Sequence, residues 1–405
     1  MVIDVLEGKK QETASSQHIK QASRGQVEPG VFDTVDEAIQ AAKVAQERFE
    51  DCTLATREKV IADIRAAMRP RVQELALKTV EETGMGRVAD KVLKLNLTLD
   101  KTPGVEDLVT ECETGDNGMT LYELSAYGVI GAITPSTNPA ETLICNTIGM
   151  LAAGNAVFFS VHPGAKHLSR LLVSELNQII SKSIGIENLI VTLSEPSIES
   201  AQEMMVHPDV SLLVVTGGPG VVKQALQSGK KVIGAGAGNP PAFVDETADI
   251  KKAAQDIVLG ASLDNNILCI AEKSVVAMRQ IEPQLVQEMV RVGCVLVENQ
   301  QDIQRLVDLT VLPNGTPNKK FVGKNASVIL DAARIPYNGD PRLIIIRTPK
   351  DHPFAVIEML MPILPVVTVD SFDEGLDVCL MLEAGLHHTA TMHSLNMDRL
   401  NRMAR

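Results

Sequence analysis

The sequence predicts an α/β protein built from two doubly wound, mostly parallel sheets with a small β arm. Three observations carry this prediction. From Gly128 onward, short apolar strands alternate with helical segments through glycine-containing turns, the pattern of parallel strands joined by crossover helices. The same alternation of strands and helices begins again after Gly238, so two lobes are expected to meet near Gly234. Ahead of both, residues 120–127 alternate apolar and polar side chains, as a half-exposed strand does.

The elements then follow in chain order. Residues 1–30 are mostly polar, and we expect a mobile tail there. Thr34 and Glu37 form a capping pattern ahead of a helix, and helical segments continue to about residue 98. A first domain is predicted over residues 31–234, with a small β arm at about 115–128, and a second domain over 235–405. The strands are expected at 129–133, 156–161, 189–193, 211–216, 273–278, 294–297, 343–347 and 366–369.

The bulk composition argues against several classes of protein. Of the 405 residues, 45% are apolar and 22% are charged, which suits a globular protein of two or three domains. No run of 18 apolar residues is present, which argues against a transmembrane span, and the N-terminus lacks the order of a secretory signal. A formal net charge of −13 argues against binding to nucleic acid or anionic membranes, since both need a basic surface.

The six cysteines are scattered and include no Cys-x-x-Cys pair, which suits a reducing cytoplasm and predicts neither a metal site nor a disulfide framework. Cys269 stands apart because asparagines precede it and small or polar residues follow it, and a glycine-rich strand exit, Gly234–Pro241, lies upstream. A thiol that attacks carbonyl carbons must be partly ionised, accessible and close to oxyanion donors. The alternative is a buried cysteine that acts as a small hydrophobic residue.

Two further motifs each allow two interpretations. The strand, turn and helix around Gly217-Gly218-Pro219-Gly220 form either a phosphate site at a helix N-terminus or a tight turn. Asn138 precedes Pro139, so its side chain is expected to cap the following helix or to donate to a substrate oxyanion.

Taken in order, these segments resemble the aldehyde dehydrogenase superfamily. The resemblance covers about residues 31–405 and is strongest to the CoA-acylating branch that serves bacterial microcompartments, in particular the propionaldehyde dehydrogenases of propanediol utilisation. It rests on the segments Gly128-Val129-Ile130-Gly131, Pro135-Ser136-Thr137-Asn138-Pro139, Thr216-Gly217-Gly218-Pro219-Gly220, Gly234–Pro241, Cys269 and Glu358-Met359-Leu360-Met361-Pro362.

The resemblance implies an NAD-dependent enzyme that oxidises a short aldehyde, with CoA as acyl acceptor. Cys269 matches the nucleophile, and either Thr137 or Asn138 assists its backbone N–H in holding the oxyanion. Glu358 matches the carboxylate that holds the nicotinamide ribose. The remaining cofactor positions implied by the resemblance are Thr134, Pro135, Ser160, His162, Thr216, Gly217, Gly218, Val221, Gly234 and Leu360. The domain over residues 31–234 would then bind NAD, and the domain over 235–405 would be catalytic; the choice between NAD and NADP stays open.

One departure from the family pattern indicates which reaction occurs. Gly234 stands where hydrolytic relatives carry the glutamate that activates water. Without that base, the acyl group is expected to survive for CoA, although a glycine there also suits a turn with positive φ. The alternatives are a hydrolytic enzyme that releases a carboxylic acid, and an inactive docking subunit, since relatives continue past Arg405. The resemblance further implies a homo-oligomer, for which the arm at about 115–128 would be the assembly arm. It also implies microcompartment shell proteins as partners and a location inside the microcompartment.

Overall fold

The computed structural model describes residues 28–405, which form two six-stranded parallel sheets and one antiparallel two-stranded hairpin. The predicted fold class is confirmed. The predicted mobile tail lies outside the described residues except for its last three. Of these, Glu28 accepts hydrogen bonds from Arg170, and the carbonyl of Gly30 accepts one from the N–H of Thr192.

The first sheet and the helices around it occupy the first half of the chain. In order, the elements are β1 (Val31–Phe32), α1 (Val35–Glu50), α2 (Leu54–Met68), α3 (Val72–Thr83), α4 (Val88–Lys101), β2 (Glu111–Gly115), β3 (Gly118–Tyr122), β4 (Val129–Ile133), α5 (Pro139–Ala152), β5 (Ala156–Ser160), α6 (Lys166–Ile184), β6 (Ile190–Leu193), α7 (Ile198–Val206), β7 (Val210–Thr216), α8 (Pro219–Leu226) and β8 (Lys231–Ala235).

The second sheet occupies the remainder of the chain. Its elements are β9 (Pro241–Val244), α9 (Ile250–Ser262), β10 (Ser274–Met278), α10 (Glu282–Arg291), β11 (Cys294–Leu296), α11 (Gln300–Thr310), α12 (Ala326–Ala333), β12 (Leu343–Arg347), α13 (Pro353–Val356), β13 (Ile363–Val369), α14 (Phe372–Glu383), β14 (Thr391–His393) and α15 (Met397–Met403).

The central strands are apolar except for Ser160 and Thr192, because helices cover both faces of the first sheet. Every residue of β4, β5 and β6 is buried, as expected for parallel strands. At the centre of β4, a Cβ on Gly131 would lie 2.1 Å from Met204 Sδ, so only glycine allows α7 to pack this closely.

The first sheet has the strand order β1-β6-β5-β4-β7-β8. After β6 the chain crosses to the other side of β4 and continues with β7 and β8. The carboxyl ends of β4 and β7 therefore flank a crevice at the point where the strand order reverses, the usual ligand site of doubly wound sheets.

The second sheet has the strand order β11-β12-β13-β10-β9-β14. The segment from Gly236 to Pro240 joins the carboxyl end of β8 directly to the amino end of β9. Loops that precede β10, β13 and β14 therefore come together beside the crevice, and they carry Cys269, Glu358 and His388.

The hairpin differs from its prediction. The strand expected over residues 120–127 runs instead from Gly118 to Tyr122 and pairs with Glu111–Gly115 around an Asp116-Asn117 turn. All residues of both strands are exposed, so neither face alternates in burial. The alternation in sequence was a misleading signal because the hairpin projects from the described chain rather than lying on a core.

Candidate active site

Cys269 lies in the loop between α9 and β10, and unusual backbone geometry shapes this loop. Asp264, Asn265 and Asn266 all have positive φ angles, of 50°, 58° and 65°. Asp and Asn tolerate this region better than other residues with side chains. The amide of Asn265 donates to Gly323 O and that of Asn266 to Ala261 O, so buried hydrogen bonds hold the loop in a conformation it would not adopt alone.

The thiol of Cys269 is half-buried and surrounded by charge. Burial and then the Glu358 carboxyl raise its pKa, while Lys273 and the backbone amides of Cys269 and Ile270 lower it; the net direction is upward. By contrast, burial raises the pKa of Cys294 to about 12 and that of Cys379 to about 12, which leaves both inert.

Gly238 brings three functional groups together. Its N–H donates to Glu358 Oε1 at 3.1 Å. A Cβ at this position would lie 2.7 Å from the Cys269 carbonyl oxygen and 2.8 Å from the ring of His388, so no residue with a side chain fits here. Burial raises the pKa of Glu358 against the lowering effects of the Gly238 N–H, Lys273 and His388. Cys269 and Glu358, both predicted from the sequence, thus share one pocket with a histidine.

Thr137 and Asn138, just before α5, form the wall that Lys91 links to the nucleophile loop. The predicted cap is wrong, because the Asn138 side chain makes no capping hydrogen bond. Its Oδ1 instead accepts a hydrogen bond from Lys94 Nζ, and its Nδ2 donates to Thr137 Oγ1 at 3.2 Å. A lysine ammonium has only donors, so this contact fixes which end of the amide is oxygen. The NH₂ group is left as the donor that the pocket can use.

A buried charge network joins this wall to the nucleophile loop. Lys91 Nζ donates to Thr137 O and to Asp264 Oδ2, each at 2.9 Å. Lys94 Nζ contacts the same Asp264 oxygen at 2.5 Å and lies 3.3 Å from Glu141. Burial opposes the charged form of Lys94, but Glu141 and Asp264 outweigh it and raise its pKa. Lys91, in the same network, has its pKa lowered by burial.

The predicted cofactor positions of the first lobe share the carboxyl edge of one sheet. Thr134 and Pro135 follow β4, Ser160 ends β5 and His162 follows it, Thr216 ends β7, and Gly234 lies near the end of β8. Backbone hydrogen bonds of 3.1 Å from Thr134 N to Ser160 O and from Gly217 N to Ala235 O hold these strand ends side by side.

The chemistry of this edge suits a dinucleotide. Helix α8 begins after Gly218 without a side-chain cap, and Val221 lies in its first turn. Open space lies where Cβ atoms on Gly218, Gly220 and Gly236 would point. Free backbone amides at a helix N-terminus with no side chains in front of them are what a pyrophosphate requires. The ring of His162 accepts from Gly164 N at 3.0 Å, and burial and Lys319 lower its pKa, so it is neutral near pH 7.

Leu360 lies in the second lobe, away from that edge. It has a positive φ of 52°, and its carbonyl accepts from Gly323 N at 3.0 Å. Gly323 in turn accepts from Asn265, so Leu360 is tied to the loop that carries the nucleophile.

Residues 6–405 match the model of the aldehyde dehydrogenase family. The chain belongs to this family. The propanal dehydrogenase (CoA-propanoylating) of Citrobacter freundii is 50% identical over 377 residues, which cover 93% of this chain and 81% of the relative.

Two solved structures of propionaldehyde dehydrogenases are similar to this aldehyde dehydrogenase in fold and in sequence. The propionaldehyde dehydrogenase of Rhodopseudomonas palustris, with bound CoA and an acylated cysteine, superposes with a TM-score of 0.90 at 46% identity, covering 93% of this chain and 86% of that one. The propionaldehyde dehydrogenase from the Clostridium phytofermentans fucose utilisation bacterial microcompartment gives a TM-score of 0.91 at 46% identity, with the same coverage. Among residues 28–405, no helix combines the length and the apolarity needed to cross a bilayer.

Sequence reasoning missed three residues of the aldehyde dehydrogenase site. The sequence alone assigns no role to Lys94, Lys273 or His388. Lys94 and His388 meet groups that are distant in the chain, as in the pairing of Lys94 with Asp264, 170 positions apart. The only local signal was the spacing of Lys273, four residues after Cys269.

Proposed function

We propose that this aldehyde dehydrogenase oxidises propanal to propionyl-CoA with reduction of NAD, through a thioester on Cys269. The observation that carries the proposal is a cysteine in a pocket whose strand exit has glycine, not a carboxylate, at position 234. The propanoylating relative and the CoA-bound, acylated structure of a neighbour support both the substrate and the acceptor.

The first step is addition of the Cys269 thiolate to the aldehyde carbon. The carbonyl π electrons move to oxygen, and the resulting oxyanion needs hydrogen-bond donors. We assign these to the backbone N–H of Cys269 and to the Asn138 Nδ2 group, because Lys94 occupies the amide oxygen. Thr137 then has a supporting role, since its hydroxyl accepts from Asn138.

NAD, when bound, supplies the acceptor for the hydride that leaves the tetrahedral carbon. The residues at the carboxyl edge of the first sheet would hold it, with its pyrophosphate at the N-terminus of α8 and Glu358 on a ribose hydroxyl. We propose on this basis that residues 31–234 form the cofactor domain and residues 235–405 the catalytic domain.

Deacylation then requires a thiol to reach the thioester. Between β8 and β9, a Cβ on Gly236 would point into open space, and we assign this gap to the pantetheine arm of CoA. His388 is half-buried beside the Cys269 carbonyl. We assign it to accept the proton of the CoA thiol; the CoA sulfur then attacks the acyl carbon, and the Cys269 thiolate leaves.

Hydrolysis is the competing reaction, and Glu358 is the observation in its favour. Its carboxyl acts on Cys269 electrostatically, so a carboxylate is present near the thioester. Its Oε1, however, is engaged by the Gly238 N–H. A carboxylate held in this way and committed to a ribose is poorly placed to activate water.

Assembly and location complete the proposal. Exposed apolar side chains on the hairpin, including Met119 and Leu121, suit burial against a second copy of the chain. The microcompartment origin of one structural neighbour supports a cytoplasmic microcompartment as the location and its shell proteins as partners. All six cysteines are free, as a reducing compartment requires.

Product identification tests the proposed function. The full chain is incubated with propanal, NAD and CoA, and the products are analysed by mass spectrometry. Propionyl-CoA in equal amount to NADH is expected. Propanoate as the main product would favour the hydrolytic alternative, and a chain that neither turns over nor binds NAD would favour the docking subunit.

A further inference from the structure

Lys273 is a buried lysine at the end of the nucleophile loop. Only 3% of its surface is exposed. Its Nζ donates three hydrogen bonds: to Asn266 O at 2.8 Å, to Asn266 Oδ1 at 2.6 Å and to Leu268 O at 2.7 Å. All three acceptors lie on the stretch that leads into Cys269, and the N–H of Lys273 is anchored on Pro240 O at 2.8 Å. One side chain therefore closes the loop around the thiol.

The acceptors of Lys273 are neutral, which sets it apart from the other buried lysines. Lys91 and Lys94 contact carboxylates, whereas Lys273 forms no ion pair with any residue of the described chain. Burial lowers the pKa of Lys273 to about 8, against the opposing effects of Glu358, Cys269 and Glu272. It thus remains a cation at pH 7, with a charge that no direct partner neutralises. Such a charge in a medium of low dielectric favours an anion nearby.

The geometry points to Lys273 as the positioning residue of the nucleophile. Its ammonium holds the Asn266–Cys269 loop and supplies the positive charge that keeps a half-buried thiol ionisable. The inference rests on the proposed function only in taking Cys269 as the nucleophile.

The other charged groups near the thiol decide whether the pKa of Cys269 rises or falls when Lys273 is removed. Glu358 faces Cys269 from the loop before β13, His388 from the loop before β14, and Glu272 belongs to the same loop as Cys269. The pKa of Glu272 is itself raised by burial, with Asp256 adding to the rise. Burial and Glu358 raise the pKa of Cys269 and Lys273 opposes them. Removing Lys273 must therefore raise the thiol pKa further.

The test is alkylation of Cys269 by iodoacetamide as a function of pH, in the full chain without aldehyde, NAD or CoA. Peptide mapping separates Cys269 from the exposed Cys112 and Cys145. In Lys273→Met, the rate of Cys269 alkylation at pH 7, where Lys273 is charged in the unmodified enzyme, should fall approximately tenfold. The profile of Cys112 should not change.

Three further variants sharpen the result. Glu358→Gln should change the Cys269 alkylation rate at pH 7 in the opposite direction, to a higher value. Lys230→Met is the matched control, because it removes an ammonium that donates to Val210 O at the far edge of the first sheet, and it should leave this rate unchanged. Lys273→Gln keeps an amide donor for the loop carbonyls without the charge, so it should restore stability while the rate at pH 7 stays low.

An unchanged rate of Cys269 alkylation at pH 7 in a folded Lys273→Met or Lys273→Gln protein overturns the inference. Failure of both variants to fold would assign Lys273 a purely structural role and overturn it equally. Because alkylation needs no turnover, this result is independent of product identification with the unmodified enzyme, which tests the proposed function by itself.

Discussion

At the start of α5, a single contact decides what the Asn138 side chain can do. Pro139 makes this a natural capping position, yet the amide oxygen is taken by Lys94. Because the ammonium only donates, the nitrogen of the amide is the end left for substrate. The adjacent Thr137 accepts from that nitrogen at 3.2 Å, so its hydroxyl supports the amide and is not the main donor.

Replacing Asn138 should therefore slow the chemistry strongly. Loss of one preorganised oxyanion donor lowers kcat by about 10²–10³-fold in other enzymes, and Asn138→Ala should fall in that range with the KM for NAD little changed. Thr137→Val, the matched control, removes only a hydroxyl and should retain most of the rate. The measurement is steady-state propanal oxidation with CoA. A larger loss in Thr137→Val than in Asn138→Ala would transfer the donor role to Thr137.

At the scale of elements, strand β8 carries the position that separates the two reactions. The sequence allowed Gly234 to be a turn residue with positive φ, but in the structure it lies within the strand and has no positive φ. A Cβ there would lie 3.2 Å from Val222 Cγ1, a tight contact with one side chain of α8. The glycine is thus not required by the backbone, which favours a role in the reaction.

Gly234→Glu should consequently introduce hydrolysis. A carboxylate at the strand exit can take a proton from water that attacks the thioester, so steady NADH formation without CoA should rise well above that of the unmodified enzyme. Gly234→Gln has nearly the same shape and no base, and should remain dependent on CoA. Equal CoA-independent rates in the two variants would show that the missing carboxylate is not what prevents hydrolysis.

The elements themselves were predictable where burial on both faces makes a strand continuously apolar. The predicted strand over 129–133 coincides with β4, and the one over 343–347 with β12. Short strands gave too little signal: β1 has two residues and β14 three, and β9 begins within Pro240-Pro241, which reads as a turn. Helices α11, α12 and α14 were also missed, although Ser371 caps α14 in the expected way.

Only those site residues that belong to a recognisable local sequence motif could be predicted. Cys269, Glu358 and the strand-end residues of the first sheet stand in recognisable segments. The fold brings Cys269 and Glu358 together at Gly238 and places the strand-end residues along one edge of the first sheet. Lys94 and His388 owe their importance to contacts between segments that are distant in the chain, such as His388 against Gly238. Lys273 contacts residues close in sequence, but the loop that brings them to its ammonium follows no standard pattern. The cap assigned to Asn138 failed for the same reason, since its competitor Lys94 lies on another helix.

At the scale of the whole molecule, the site is assembled from opposite edges of two sheets. The first sheet contributes the carboxyl ends of its strands, and the second sheet contributes loops that precede its strands. Lys91 and Lys94 of the first lobe meet on Asp264 of the second. Breaking a buried pair of this kind leaves an uncompensated charge and is strongly destabilising, so the network both supports the fold and aligns the oxyanion wall with the nucleophile.

The central claim is that the acyl group stays on Cys269 until a thiol removes it, and the NADH burst tests this most directly. Enzyme is mixed rapidly with saturating propanal and NAD, with and without CoA. Without CoA, we predict a burst of about one NADH per chain followed by a near stop; with CoA, the burst should continue into steady turnover, and Cys269→Ala should show neither phase. A linear steady rate of the same size in the absence of CoA would contradict the account.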